Sequence, residues 1–355
     1  MDAFAGLLDG PRARGAFLLR MVMEPPWAVR VEDRAPLALM CLTEGEAWII
    51  PGGPDGPDGA GGGGGPASAG GGAGSPGAPD GAGGGKPVLM RPGDVAIVRG
   101  PAPYTLADSP GTEPLAVAGP GGTCHDLGGA PLMQSMLMGV RTWGNDPDGS
   151  AVMQIGTYQM EGEISGRLLE VLPELIHLPA GAWHCPLLPI IGDELGRDEP
   201  GQSAMLDRML DLLLISALRA WFARPEARAP AWYLAMGDPV VGRALRLIQD
   251  DPARPWTVAA LATECGVSRA QLARRFHELV GEPPMAYLTR WRLDLAADLL
   301  RGSDSTVDAV ARKVGYSGSF ALSAAFKRVR GISPQEHRTG RRSGATLPER
   351  QPSLL

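Results

Sequence analysis

Two stretches in the last third of the chain repeat one another so closely that whatever one folds into, the other must fold into as well. Residues 257–268, TVAALATECGVS, match residues 306–317, TVDAVARKVGYS, and the match runs on through Phe276 and Phe326, Gly281 and Gly331, Pro284 and Pro334. One extra residue near Gly318 keeps the second half in step. Such a duplication marks two copies of one supersecondary unit. Each copy predicts helix, turn, helix, at residues 257–280 and 306–329. Thr257 and Thr306 suit N-caps, because a hydroxyl there can accept a bond from an otherwise unpaired first-turn N–H. Val258, Leu261 and Ala262 form an apolar stripe, as do Val307, Val310 and Ala311. Gly266 and Gly315 follow where a left-handed residue ends a helix. Ser268 then caps a second helix whose inward face is Leu272, Phe276 and Leu279 or Val280. That is the helix-turn-helix pattern, whose second helix enters the DNA major groove.

The segment between the copies is also patterned. Pro283 and Pro284 can open a helix, since proline is tolerated in a first turn. Tyr287, Leu288, Trp291, Leu295 and Leu299 then recur at helical spacing. A spacer of about 16–18 residues spans roughly 25 Å at about 1.5 Å per residue, which could hold two reading helices about one DNA turn apart, roughly 34 Å. Charge agrees. Residues 239–342 carry 17 Lys and Arg against 10 Asp and Glu, while residues 1–238 carry 15 against 28. A basic C-terminal part behind an acidic N-terminal part predicts a polyanion-binding module joined to something else.

The segment WTVAALATECGVSRAQLARRFHELVGEPPMAYL, followed by RWRLDLAADLLRGSDSTVDAVARKVGYSGSFALSAAFKRVRGISP, closely resembles the DNA-binding domain of the AraC/XylS family of bacterial transcription regulators. The resemblance covers about Val240 to Arg338. Residues 1–200 more loosely resemble the cupin-like N-terminal domains of one branch of that family, which implies effector sensing and dimer formation there. The expected class is α+β in two domains: a cupin-like β-barrel or sandwich with flanking helices, then an all-α domain of two helix-turn-helix units joined by a long helix. The expected boundaries are 1–224, a linker at 225–238, the DNA-binding domain at 239–340, and a disordered tail at 341–355.

In the first unit, inward Leu272 and Phe276 leave Arg269, Ala270, Ala273, Arg274 and His277 outward. Arg269 and Arg274 are the strongest base readers, because arginine can bond bidentately to guanine O6 and N7; the competing reading is phosphate contact or solvated surface. Arg275, beside the buried face, reads as a phosphate clamp, and Gln271 as structural or solvent-facing. In the second unit the matching face is Ser319, Phe320, Ser323 and Ala324. Family members often carry glutamine and arginine there, so this departure weakens the expectation of base reading by the second unit. Phe320 fits either a thymine-methyl contact or the core. Lys327, Arg328 and Arg330 suit phosphate contacts, which hold position without specifying sequence.

The first 120 residues read as β structure. Ala38–Ile50 and Val88–Val98 each read as a hairpin, around Thr43–Glu46 and around Pro92-Gly93-Asp94. Between them, 18 of the 35 residues from Gly52 to Lys86 are glycine. That composition cannot offset its ordering entropy by burial and predicts a disordered insertion (52–86); it lacks the strand, helix and Lys-Ser/Thr of a phosphate loop. A short helix is expected at Ser165–Leu172, stopped by Pro173, and a long amphipathic one at Gln202–Phe222, its apolar face for core packing or a second subunit.

Other chemistries are weighed on the remaining residues. No histidine precedes His125, so neither cupin-like hairpin carries metal ligands, Tyr104 alone standing where one would be expected, and catalysis is not expected. Cys124-His125 and His184-Cys185 could meet as a tetrahedral zinc site, or Cys124 could sense oxidants; the spacing matches no compact zinc motif, and buried cysteines are the plainer reading. The four cysteines form no CxxC pair, and no cofactor is implied. No apolar run reaches eighteen residues, since even Met205–Phe222 holds Asp207, Arg208, Asp211 and Arg219, so no membrane span is expected. The N-terminus MDAFAGLLDGPRARG is not a secretion signal, and a cytoplasmic chain is expected. The expected partners are double-stranded DNA, RNA polymerase, a small-molecule effector and a second copy of the chain.

Overall fold

Strands with side chains buried on both faces set the N-terminal architecture. The structure, a computed structural model, describes residues 17–52, 86–158, 163–183, 185–224, 227 and 229–344. The strands are β1 (Phe17–Met23), β2 (Ala28–Val31), β3 (Leu37–Glu44), β4 (Ala47–Pro51), β5 (Val88–Met90), β6 (Val95–Arg99), β7 (Tyr104–Ala107), β8 (Ala116–Ala118), β9 (Cys124–His125), β10 (Leu137–Gly139), β11 (Thr142–Gly144), β12 (Ala151–Tyr158) and β13 (Leu175–Leu178). The helices are α1 (Glu163–Val171), α2 (Leu187–Leu195), α3 (Gln202–Phe222), α4 (Ala231–Ala235), α5 (Val241–Asp250), α6 (Val258–Glu264), α7 (Arg269–Val280), α8 (Pro284–Gly302), α9 (Val307–Lys313), α10 (Ser319–Arg330) and α11 (Pro334–Gly344). Among the described residues two compact units result, one within 17–158 and 173–220, the other within 163–172 and 221–344.

The first unit is a sandwich of two open sheets, in the orders β10-β11-β1-β12-β3-β6-β13 and β5-β4-β7-β2-β8-β9. Because side chains alternate along a strand, Met21, Met40, Leu42 and Met153 of one sheet meet Val29, Ile49, Leu106 and Ala116 of the other in a single core. Residues of opposite parity face outward under helices. Tyr158 on β12 donates its hydroxyl to the Leu210 carbonyl of α3 at 2.7 Å, and Leu206, Leu210, Leu213 and Ala217 form the buried stripe of that helix. Tyr104 is buried in the inter-sheet core.

Neither expected hairpin forms. β3 and β4 lie in different sheets, as do β5 and β6; β3 pairs with β6, and β4 with β5. The turns after β3 and β5 are therefore corners between layers, where the chain must change direction rather than fold back. Gly45 makes the first corner at φ +74°, and a Cβ there would stand 2.4 Å from the Ser150 carbonyl oxygen. The sequence around both corners alternates as a hairpin would, because either path buries the same residues. The glycine-rich insertion lies almost wholly outside the described residues, but its flanks pair, Ile49 opposite Val88.

The second unit follows the duplication. Thr257 accepts from the Ala260 N–H and Thr306 from the Ala309 N–H, both at 3.1 Å, and Ser268 accepts from Gln271 at 3.2 Å. Helix α8 runs for 19 residues, about 28 Å, and serves two cores in turn. Tyr287, Leu288 and Trp291 join Leu261, Leu272 and Phe276, whereas Leu293, Ala297 and Leu300 join Val310, Leu322 and Phe326. Leu295 packs against both. Gly315 sits at φ +86°, where a Cβ would press on the Ala253 backbone at 2.9 Å, so it admits no side chain. Two boundaries differ from the sequence reading. Residues 231–235, within the expected linker, form α4, whose Ala235 is fully buried with Leu245 and Leu272. Helix α1, expected with the N-terminal part, belongs to the helical unit through an ion pair of Arg167 with Asp294 on α8.

Candidate nucleic-acid interface

Helix α7 is amphipathic because Leu272 and Phe276 are driven inward. Its opposite face carries Arg269, Ala270, Gln271, Arg274 and His277, all exposed, with Ala273 half-buried. On this face Arg274 pairs with Glu278 at 3.8 Å, with side chains 75% and 61% exposed. An exposed pair at that distance contributes little, so Arg274 is held ready rather than held back. The face expected from sequence is thus assembled on one side of one helix.

Arg275 is placed otherwise. Its Nε donates to Asp238 Oδ2 at 2.9 Å and its Nη2 to the same oxygen at 2.5 Å. Asp238 Oδ1 meanwhile accepts the N–H groups of Val240 and Val241, at 3.0 and 2.9 Å, at the start of α5. The Arg275 side-chain hydrogen bond, with the backbone donors, outweighs the effect of burial and holds the Asp238 carboxyl below its ordinary range. Arg275, expected as a phosphate clamp, thus braces α7 against α5, with its side chain 43% exposed.

Helix α10 has a different surface. Ser319 and Ala324 are exposed and Ser323 is half-buried. Phe320 is 88% exposed, which removes the core alternative; Leu322 and Phe326 fill the core instead. Gly318 cannot cap the helix with a side chain, and Asp308 Oδ1 from α9 accepts the Ser319 N–H at 3.2 Å in its place. Lys327 and Arg328 are exposed. Arg330, expected at a phosphate, is held inward: its Nη2 donates to Asp294 Oδ1 at 2.6 Å, its guanidinium lies 5.3 Å from the Phe326 ring, and its side chain is 17% exposed. Asp294 pairs with Arg167 through its other oxygen.

Asp238 and Asp294, which decide that two arginines turn inward, were not singled out by the sequence. The available signal was an acidic residue inside an apolar helical run, Asp294 between Leu293 and Leu295.

Cys124 and Cys185 lie in different surroundings. Cys124 is buried in the core between the sheets, and burial pushes its thiol up. Cys185 lines a cavity on the outer face of the seven-stranded sheet. His125 is half-buried with Nδ1 3.0 Å from the Asp126 carbonyl, and His184 lies outside the described residues. Among the described residues no three ligating side chains group to hold a metal ion. Cys41 is pushed up to about 12 by burial first and by the neighbouring Cys185 and Asp94. A thiol held protonated is a poor nucleophile, and Cys124 and Cys41 are both buried. Among the described residues no helix is long and apolar enough to cross a membrane.

Comparison with known proteins agrees with this geometry. A family model described as Cupin matches residues 2–59 and 76–223, and one described as Helix-turn-helix domain matches residues 261–340. A protein of Streptomyces lividans described as an AraC-like transcription regulator is 33% identical over 257 residues, covering 71% of this chain and 80% of that one. The HTH-type transcriptional regulator AlkR of Acinetobacter baylyi is 36% identical over 177 residues, covering 48% and 58%. Among solved structures, the DNA-binding domain of AdpA, in complex with a target DNA, is 30% identical and covers 32% of this chain and 100% of that one, with a TM-score of 0.30. With a cupin N-terminal domain, a duplicated helix-turn-helix and relatives of this kind, the chain belongs to the AraC-type DNA-binding transcription regulators.

Proposed function

We propose that this regulator reads its operator unequally: α7 selects bases, while α10 grips the backbone and adds one apolar contact. The observation that carries this is the exposed face of each helix. Helix α7 offers Arg269, Arg274 and His277, with donors that can address base edges. Helix α10 offers Phe320 and small residues, with Lys327 and Arg328 beside them. A phenyl ring can meet a thymine methyl, but it cannot distinguish bases by hydrogen bonding. The N-terminal unit controls this binding in response to a small molecule. A second copy and RNA polymerase are the protein partners, and the cytoplasm, where the DNA is, the place of action.

Selection of binding sites from a random duplex library with the full-length protein tests the asymmetry. The expected motif has one sharp half and one degenerate half. Arg274→Ala should blur one position of the sharp half at a cost of about 1–3 kcal/mol. Phe320→Ala should leave the sharp half intact. Two equally sharp halves, or a sharp half that disappears with Phe320→Ala and survives Arg274→Ala, would overturn the assignment.

A further inference from the structure

The space between the two sheets is filled, with Met23, Trp27, Met40, Leu42, Ile49 and Met90 all buried to within 1%. The outer face of the seven-stranded sheet holds instead a cavity of about 570 Å³, roofed by α2 and the segment before it. That volume falls among those of small-molecule sites. Two polar side chains sit side by side on its floor: Arg20 of β1 and Gln154 of β12 are directly opposed in the antiparallel register, where Cβ atoms stand about 5 Å apart.

Gln154 is 95% buried at 5% relative exposure, and among the described residues no donor reaches its buried Oε1. Buried polar groups are almost always bonded, and a specific exception calls for an explanation. Gly192 on α2 leaves room for the amide, since a Cβ there would stand 2.8 Å from Nε2. Arg20 is half-buried, and among the described residues no carboxylate forms an ion pair with it. Glu44 stands exposed at the rim. Trp183 and Leu188 supply an aromatic and an aliphatic wall.

We propose that this cavity binds a small carboxylic acid carrying a hydroxyl or amine on the adjacent carbon and an apolar body. The guanidinium of Arg20 takes the carboxylate, a charge-assisted and bidentate arrangement. A turn of the Gln154 side-chain amide brings its buried Oε1 to accept from the neighbouring O–H or N–H, and the apolar body rests on Trp183 and Leu188. Adjacent side chains call for adjacent functional groups, which is why the two are placed on neighbouring carbons. The proposal rests on the reading of the N-terminal unit as the sensing part, and it adds the site and the ligand chemistry.

Calorimetry and thermal melting of the full-length protein with three probes test it: mandelate, phenylacetate, which lacks the hydroxyl, and mandelamide, which lacks the charge. Mandelate should bind at least about 10-fold more tightly than either, since each probe loses one bond of a kind whose loss is of that order. Arg20→Met should erase the preference over the amide, and Gln154→Leu the preference over phenylacetate. Leu188→Trp, which fills the cavity without touching the polar pair, should abolish binding of all three. Melting without probe identifies any variant that has lost its fold, and Arg20→Lys, retaining charge but not the fork, then replaces Arg20→Met with an intermediate loss expected. Failure of mandelate to bind, or equal binding by wild type and a folded Arg20 variant, would overturn the proposal. Operator affinity with and without mandelate separates the two readings. Tight mandelate binding that leaves DNA affinity unchanged removes the sensing role and keeps the site. DNA affinity that responds to a neutral molecule, with no binding of mandelate, does the reverse.

Discussion

Arg274, Arg275, Lys327 and Arg330 are alike in charge and similar in spacing, yet only two of them stand clear in solvent. The difference lies in what faces them: Asp238 opposite Arg275 and Asp294 opposite Arg330, neither of them a neighbour in sequence. Lys327→Ala should therefore weaken binding to all DNA sequences about equally and lower the slope of log affinity against log salt by roughly one unit. Arg330→Ala should leave that slope alone and lower stability instead, by about 1–3 kcal/mol, since one buried carboxylate oxygen loses its donor. A salt titration and a denaturant melt of each variant distinguish the two roles. Asp94 gives a pH signature of its own. Burial raises its pKa, but donors from the Ala180 and Arg91 N–H groups and from His177 at 2.9 Å outweigh burial, and the net shift is downward from 3.8. A carboxylate depressed in the folded state contributes stability that is complete above its unfolded value and fades as pH falls through the folded one. Melting temperature should thus be flat near neutrality and fall below about pH 4, and Asp94→Asn should flatten that fall while lowering the plateau. A pH profile identical to wild type would remove Asp94 from this role.

At the scale of elements, α4 and α8 hold the reading helices where they are. Helix α4 packs Ala235 into the first core, with Trp232 and Met236 against it, and Asp238 just beyond it secures both α5 and Arg275. A fragment beginning at residue 229 should therefore melt well above one beginning at 239, by several degrees for each kcal/mol of lost burial. Equal melting temperatures would show that α4 is dispensable. Both fragments lack Arg167, so Asp294 keeps Arg330 as its partner in each, and the comparison isolates α4 together with Asp238. Helix α8 could be anticipated from Pro283-Pro284 and its apolar spacing, because helical periodicity is a local property. The division of that helix between two cores could not, since each half meets residues from a different copy of the repeat.

For the whole molecule, the flanks of the glycine-rich stretch pair as β4 and β5, so the residues between them only need to close a loop. Loop-closure cost grows by about 0.6 kcal/mol for each doubling of length. Replacing residues 53–85 by a four-residue turn should raise the melting temperature slightly or leave it unchanged, and operator affinity should be retained. A large fall in either would give that stretch a role beyond connection. Salt dependence of DNA binding by the full chain should be steep, because phosphate neutralisation releases counterions, even though the net charge of the chain is −6; the helix-turn-helix units lie in its basic C-terminal part.

The duplication by itself determined two helix-turn-helix units, their caps and glycine turns, and the outward face of α7. All of these follow from spacing along one or two turns of chain, where cause and effect are neighbours. Which arginines are spent inside, that Phe320 points to solvent, and that β3 and β4 turn a corner instead of closing a hairpin were decided only by the tertiary structure. So was the juxtaposition of Arg20 with Gln154, 134 positions apart in the numbering and opposite one another in the sheet. Pairing of that kind depends on register and on long-range burial, and the same alternating pattern is compatible with more than one partner strand until the sheets pack.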